Sequence, residues 1–167
     1  MTSTGDVARH LAAELEAANQ GALALVESCD DAQWATSVAG EDWTVGVVLH
    51  HIAGGHVQMR DWLGRARRGQ AIVQTAAQID EDNARHALEY VDVTRATTAL
   101  ALRDHGAALI ELVGGLRPDE LGRSVAFGPG HGTMVTAEQL AQVAVRHCQS
   151  HLAAAHRALE SGSTPAQ

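Results

Sequence analysis

His147 and His151 stand four residues apart in TAEQLAQVAVRHCQSHLAAAHRALE (136–160), the stretch of the chain best equipped for chemistry. At about 100° per residue their side chains leave one helical face about a turn apart, where two imidazoles can converge on one ion. Leu140, Val143, Ala144, Ala154, Ala155 and Ala158 fall on the same face, so the pair interrupts a stripe of small apolar residues. Two histidines placed in this way either hydrogen-bond within a polar seam or hold a metal. The spacing alone leaves both readings open.

A third donor must come from another helix, and the pair His50–His51 offers one. Adjacent residues on a helix point about 100° apart. Measured from the apolar stripe Val45, Val48, Leu49, Ile52, Met59, Leu63 and Ala66, His50 points to solvent. His51 lies at the stripe's edge, beside Gly55 and Trp62, and is the one able to reach a site between helices. His51, His147 and His151 are therefore the candidate metal ligands.

His56 projects nearer the stripe's centre, rotated away from His51, and is expected to line a pocket rather than to ligate. Trp62, His131 and Cys148 are the other expected pocket-lining residues. His131, in FGPGHGT (127–133), is either a lid over the pocket or a plain loop histidine. Cys148 reads as a small buried apolar residue rather than a nucleophile. Asp80, Glu81 and Asp82 fit a solvated helix start better than an orienting group, and Trp43 reads as a packing anchor at a helix entry. Glu-x-x-His pairs on facing helices, which a di-iron bundle needs, are absent.

Several long helices must position these residues. Periodicity and start signals predict helices over 5–28, 44–68, 94–114 and 136–160, antiparallel to one another, with a shorter one over 75–90. Thr44, Thr94 and Thr136 are suited to cap their helices. Trp34, in the aperiodic stretch 30–42, should cover one end of a bundle, and Pro118-Asp119 should start a turn. FGPGHGT is predicted to be a loop, no strand alternation of useful length is visible, and residues 161–167 read as a frayed tail. The expected fold is all-α: one domain over 1–167, a four-helix bundle with an additional short helix.

Composition narrows the function. The net charge is −8, and every one of the twelve basic residues is arginine. That global field repels nucleic acid and anionic membrane surfaces, so neither is an expected partner. No run approaches the ~18 apolar residues of a membrane span and no signal-peptide core is present, which predicts a cytoplasmic protein. Cys29 and Cys148 are expected to be unpaired thiols. An exposed apolar helix face near Trp62 suggests association into a homodimer.

The run DWTVGVVLHHIAG (42–54), followed about a hundred residues later by RHCQSHL (146–152), resembles the DinB-like (YfiT-like) superfamily. The similarity is strongest toward the metal-binding N-terminal domain of mycothiol-dependent maleylpyruvate isomerases. Trp43, Thr44, Val45 and His51 match its first motif, His147 and His151 its second, and residues 79–121 look like its third region. The sequence departs at Asp42, where the family often has Gly, and at Gly46-Val47, where it often has Arg-Asp.

The resemblance implies a four-helix bundle holding a divalent metal on three side chains. It implies also that a low-molecular-weight thiol such as mycothiol serves as co-substrate for a transferase or isomerase acting on a small molecule. Imidazole ligands suit zinc first, with nickel or iron as alternatives. Three neutral ligands leave a coordination position open, as in catalytic sites. Two other classes remain: a metal-dependent hydrolase, and a bundle that binds metal or ligand for stress or sensing without turnover.

Overall fold

Four threonines start four of the five longer helices. Thr44, Thr75, Thr94 and Thr136 are N-caps in the computed structural model, which describes residues 4–40 and 42–162. Each hydroxyl accepts the amide N–H three residues on, satisfying a donor that the first helical turn leaves unpaired. Thr75 and Thr136 close full capping boxes, with the Gln78 and Gln139 side chains accepting from the cap amides at 2.8 Å each.

The helices that follow are α1 (Thr4–Ser28), α3 (Val45–Arg67), α4 (Ala76–Glu89), α5 (Arg95–Gly114) and α7 (Ala137–Gly162). These lie within two residues of the predicted bounds, and the break between α4 and α5 falls at residues 90–94, as predicted. Two single-turn helices, α2 (Asp31–Trp34) and α6 (Pro118–Leu121), fill the connections. No helix of the described residues is long and apolar enough to cross a membrane. The predicted tail lies outside the described residues beyond 162.

α1, α3, α5 and α7 form an all-α four-helix bundle. Both α1 and α3 pack on α5 and on α7 and scarcely touch each other, so they occupy opposite corners. Leu15, Leu49, Ile52, Leu63, Leu102, Leu109 and Leu140 are fully buried between them, the chief source of stability. Trp34 covers one end as expected: its indole donates to the Val93 carbonyl at 2.9 Å. A Cβ at Gly46 would overlap that indole, which explains glycine at this position. Cys29 and Cys148 are both free and buried.

The sequence reading missed a hairpin. β1 (Ser124–Phe127) pairs antiparallel with β2 (Thr133–Thr136), so FGPGHGT is a turn with strands on both sides rather than an extended loop. Strands of four residues are too short to show a period-two pattern. Ile72, in the α3–α4 connection, bonds to this hairpin through Ile72 N to Ala126 O at 2.9 Å and Gly128 N to Ile72 O at 2.7 Å. α4, which has no fully buried residue, thereby sits outside the bundle against the turn at Gly128–Gly130.

A polar chain crosses the core. His56 Nε2 lies 3.0 Å from Asn19 Oδ1, and Asn19 Nδ2 donates to the Leu102 carbonyl at 3.2 Å. A Cβ at Gly106 would collide with the Asn19 carboxamide. Gly106→Ala should therefore displace Asn19 and cost about 1–3 kcal/mol in urea unfolding. Gly64→Ala, which would meet only the far end of Arg68, should instead gain roughly 0.5–1 kcal/mol from reduced unfolded-chain entropy.

Candidate metal centre

His51 and Gly55 are one turn apart on α3, and His147 and His151 one turn apart on α7. Glycine at 55 lets the His147 ring lie against the α3 backbone, where any Cβ would overlap it. From there His147 Nε2 comes within 3.2 Å of His51 Nε2. The His51 and His151 rings are 4.8 Å apart and those of His147 and His151 4.7 Å. Among the described residues these three form the only group of three histidine, cysteine or carboxylate side chains whose donor atoms all lie within 4.8 Å of one another.

The donors fit a divalent ion. Bonds of about 2.0–2.1 Å to imidazole nitrogens place neighbouring donors about 3.3 Å apart in a tetrahedral sphere, close to the His51–His147 approach. The protonation state also favours binding. Burial first, then the neighbouring imidazoles, push His51 down from 6.5 to about 2. Burial, with His151 and His56, pushes His147 down to about 3. Both rings are neutral at pH 7, as metal ligands must be.

The imidazoles form the base of a cleft with two lobes. One, of about 570 Å³, is walled by Trp43, Met59, Trp62, Ile79, Phe127 and Val143. Trp43 is more than an anchor: its ring lies 4.8 Å from His51 and is stacked on His151 at 6.5 Å. Trp62 lines the cleft as expected, edge-on to Phe127 at 5.1 Å. It is only 4% exposed, so it offers no free apolar face.

The other expected lining residues lie elsewhere. His56 is buried in the core with Asn19, as described above. Cys148 is fully buried, its thiol pushed up to about 12 by desolvation, which makes it inert. His131 is exposed at the hairpin turn in a left-handed conformation (φ 54°), while its neighbours Phe127 and Pro129 reach the cleft.

His50 requires a correction. It is 8% exposed rather than solvent-facing, because α4 covers it: His50 Nδ1 is 3.4 Å from His86 Nε2, and its ring lies 4.0 Å from Tyr90. Burial and the charge of His86 push it down to about 4. His86 itself was missed. It lines the second lobe, 5.4 Å from the His51 ring, and its pKa is lowered by burial. Its helix is too polar to advertise an inward face.

Acid should weaken this fold in a measurable way. His56 has a folded pKa of about 4 against 6.5 when free, because burial disfavours its charged form. Below pH 6.5 unfolding therefore takes up a proton, and stability falls until folded His56 also protonates near pH 4. In chelator-treated protein, His56→Gln should flatten the urea-unfolding free energy across this window by up to about 1.4 kcal/mol per pH unit. An unchanged slope would show that His56 does not carry the effect.

The family model of the DinB superfamily matches residues 14–155, most of the chain. No curated protein and no solved structure shows significant similarity to it.

Proposed function

The chain belongs to the DinB superfamily, and on that premise we propose that it is a divalent-metal-dependent enzyme bringing a low-molecular-weight thiol to a small electrophile. The observation that carries this reading is the placement of three converging imidazoles, two of them held neutral, at the base of a cleft large enough for a small substrate. A purely structural metal site is enclosed by its ligands. This one faces a cavity walled by two indoles and a phenyl ring.

A divalent ion there, zinc first and nickel or iron next, would carry its full charge into the cleft and draw a thiol toward its nucleophilic thiolate at neutral pH. The Nε2 atoms of His51 and His147 face each other at 3.2 Å, a separation that suits two ligands of one ion. Trp43 packs on two of the three rings and holds their orientation. Trp62, Phe127 and Met59 offer an apolar surface that takes up a small electrophile and displaces water around the reacting atoms. Mycothiol-type transfer or isomerisation is the finer form of this proposal.

Metal analysis of protein purified without a histidine tag should find a divalent ion in near-stoichiometric amount. Replacing His51, His147 or His151 by Ala should lower metal affinity at least about tenfold. Gly55→Ala should do the same without touching a ligand, by pushing the His147 ring aside. His50→Ala should keep its metal, because His50 faces His86 and Tyr90. Conjugation of a model electrophile to a thiol should then depend on the metal. Protein that carries metal but turns over no thiol would support a sensing or binding role. Retention of metal by all three ligand variants would remove the proposal altogether.

A further inference from the structure

The second lobe of the cleft, about 360 Å³, shares His51 with the first but is not lined by His147 or His151. Its polar groups are unequally engaged. Gln74 is fixed on three sides: its Oε1 accepts from Gln58 Nε2 at 3.1 Å and from Trp62 Nε1 at 3.2 Å, and its Nε2 donates to Asp82 Oδ2 at 2.9 Å. The other oxygen of Asp82 accepts from Arg85, and Asp61 accepts from Arg65 Nε at 2.8 Å. Both carboxylates are thus matched to guanidiniums on their own helices.

Asn83 differs. It is half-buried, it lines both lobes, and no described residue gives its carboxamide a hydrogen bond. Beside it, also lining both lobes, Gln58 spends one N–H on Gln74 and keeps its carbonyl oxygen. Neither lobe is lined by any arginine. A carboxylate or phosphate in the second lobe would lose its water beside Asp61 and Asp82 with no cation to receive it. An ammonium would find both carboxylates already taken. A group with its own donor and acceptor, in contrast, can pair with Asn83 and Gln58 together.

We propose that this lobe reads an uncharged, hydrogen-bonding head group, such as an amide, on the thiol that enters the histidine cleft, and that Asn83 sets the preference. The assignment rests on the cleft being the reaction site. The lobe then works by mismatch: a head that leaves Asn83 unpaired, or brings an uncompensated charge, loses affinity.

The test compares four small thiols that differ only at the end remote from sulfur: 3-mercaptopropionamide, 3-mercaptopropionate, 3-aminopropanethiol and 1-propanethiol. Binding is followed at pH 7 by calorimetry and tryptophan fluorescence, on metal-loaded protein and on protein stripped by chelator. The head-group order is read on stripped protein, where a carboxylate has no ion to seek. There the amide should bind about tenfold more tightly than the carboxylate and the ammonium. Asn83→Leu should abolish the preference for the amide over propanethiol, with metal content unchanged.

A carboxylate or ammonium that binds as tightly as the amide overturns the proposal. So does an amide preference that survives in Asn83→Leu. The two readings fail separately: propanethiol affinity that does not depend on metal counts against the metal–thiol reading, whereas the head-group order judges the lobe alone.

Discussion

The His147 imidazole occupies the space over Gly55 that a side chain would otherwise fill, and the geometry of the centre follows from that contact. His51 precedes Gly55 by one helical turn, so the two share a strip along α3. A ring laid across the glycine meets the preceding histidine almost end to end, which is the 3.2 Å approach of the two Nε2 atoms. His151 then follows from the pitch of α7. The close passage of backbone and ring fixes the local spacing of α3 and α7, and Val45, Leu49, Ile52, Leu140 and Ala144 on these two helices are buried. A single missing methyl group makes room for the site, and the helix periods deliver the rest.

The same bundle carries an unusual load of buried polarity. His56, Asn19 and the Leu102 carbonyl form one chain, and His105 Nδ1 lies 3.2 Å from the Ala53 carbonyl. Each group costs desolvation that its hydrogen bonds must offset. Thr98 Oγ1 alone, among the described buried side-chain atoms, has no partner. Four of these histidines, His50, His51, His56 and His147, are held neutral mainly by burial. Neutrality lets them hydrogen-bond or ligate, and it ties the stability of the fold to pH. The rings of the candidate metal centre and the rings buried in the core therefore obey one constraint.

Much of this was legible in the residues. The helices were visible because threonine caps and 3.6-residue stripes agree, and His51 was separable from His50 because 100° of rotation decides which ring faces α7. The phase argument placed His51 with His147 and His151, where the structure groups all three, and failed on what surrounds His50. A stripe tells which side meets the bundle, but not whether an outer element covers the opposite side. α4 does so here, with no fully buried residue to reveal it in a hydrophobic pattern. His86, Tyr90 and Asn83 escaped for the same reason. The hairpin escaped because four-residue strands carry no period. Of the two readings of His131, the plain loop histidine fits: it is exposed at the hairpin turn in a left-handed conformation, while its neighbours Phe127 and Pro129 line the cleft.

These less legible elements complete the cleft. Ile72 ties the α3–α4 connection to the hairpin, which places Phe127 edge-on to Trp62, while α4 brings Asn83 and Asp82 to the opposite wall. The bundle thus carries the three-histidine group, and the outer layer carries the opposite walls of the cleft, a division common where a rigid scaffold carries variable covers. Charge follows the same division. The chain is at −8 overall, and the arginines beside the cleft are spent on surface carboxylates such as Asp61 and Asp82 rather than turned inward. An anion approaching the cleft meets a repulsive field outside and no arginine inside. A neutral molecule meets neither barrier. On the proposed reading, selectivity among neutral molecules falls to shape against the indoles and to hydrogen bonds with the carboxamides, interactions that reject a ligand mainly when a buried polar group is left without a partner.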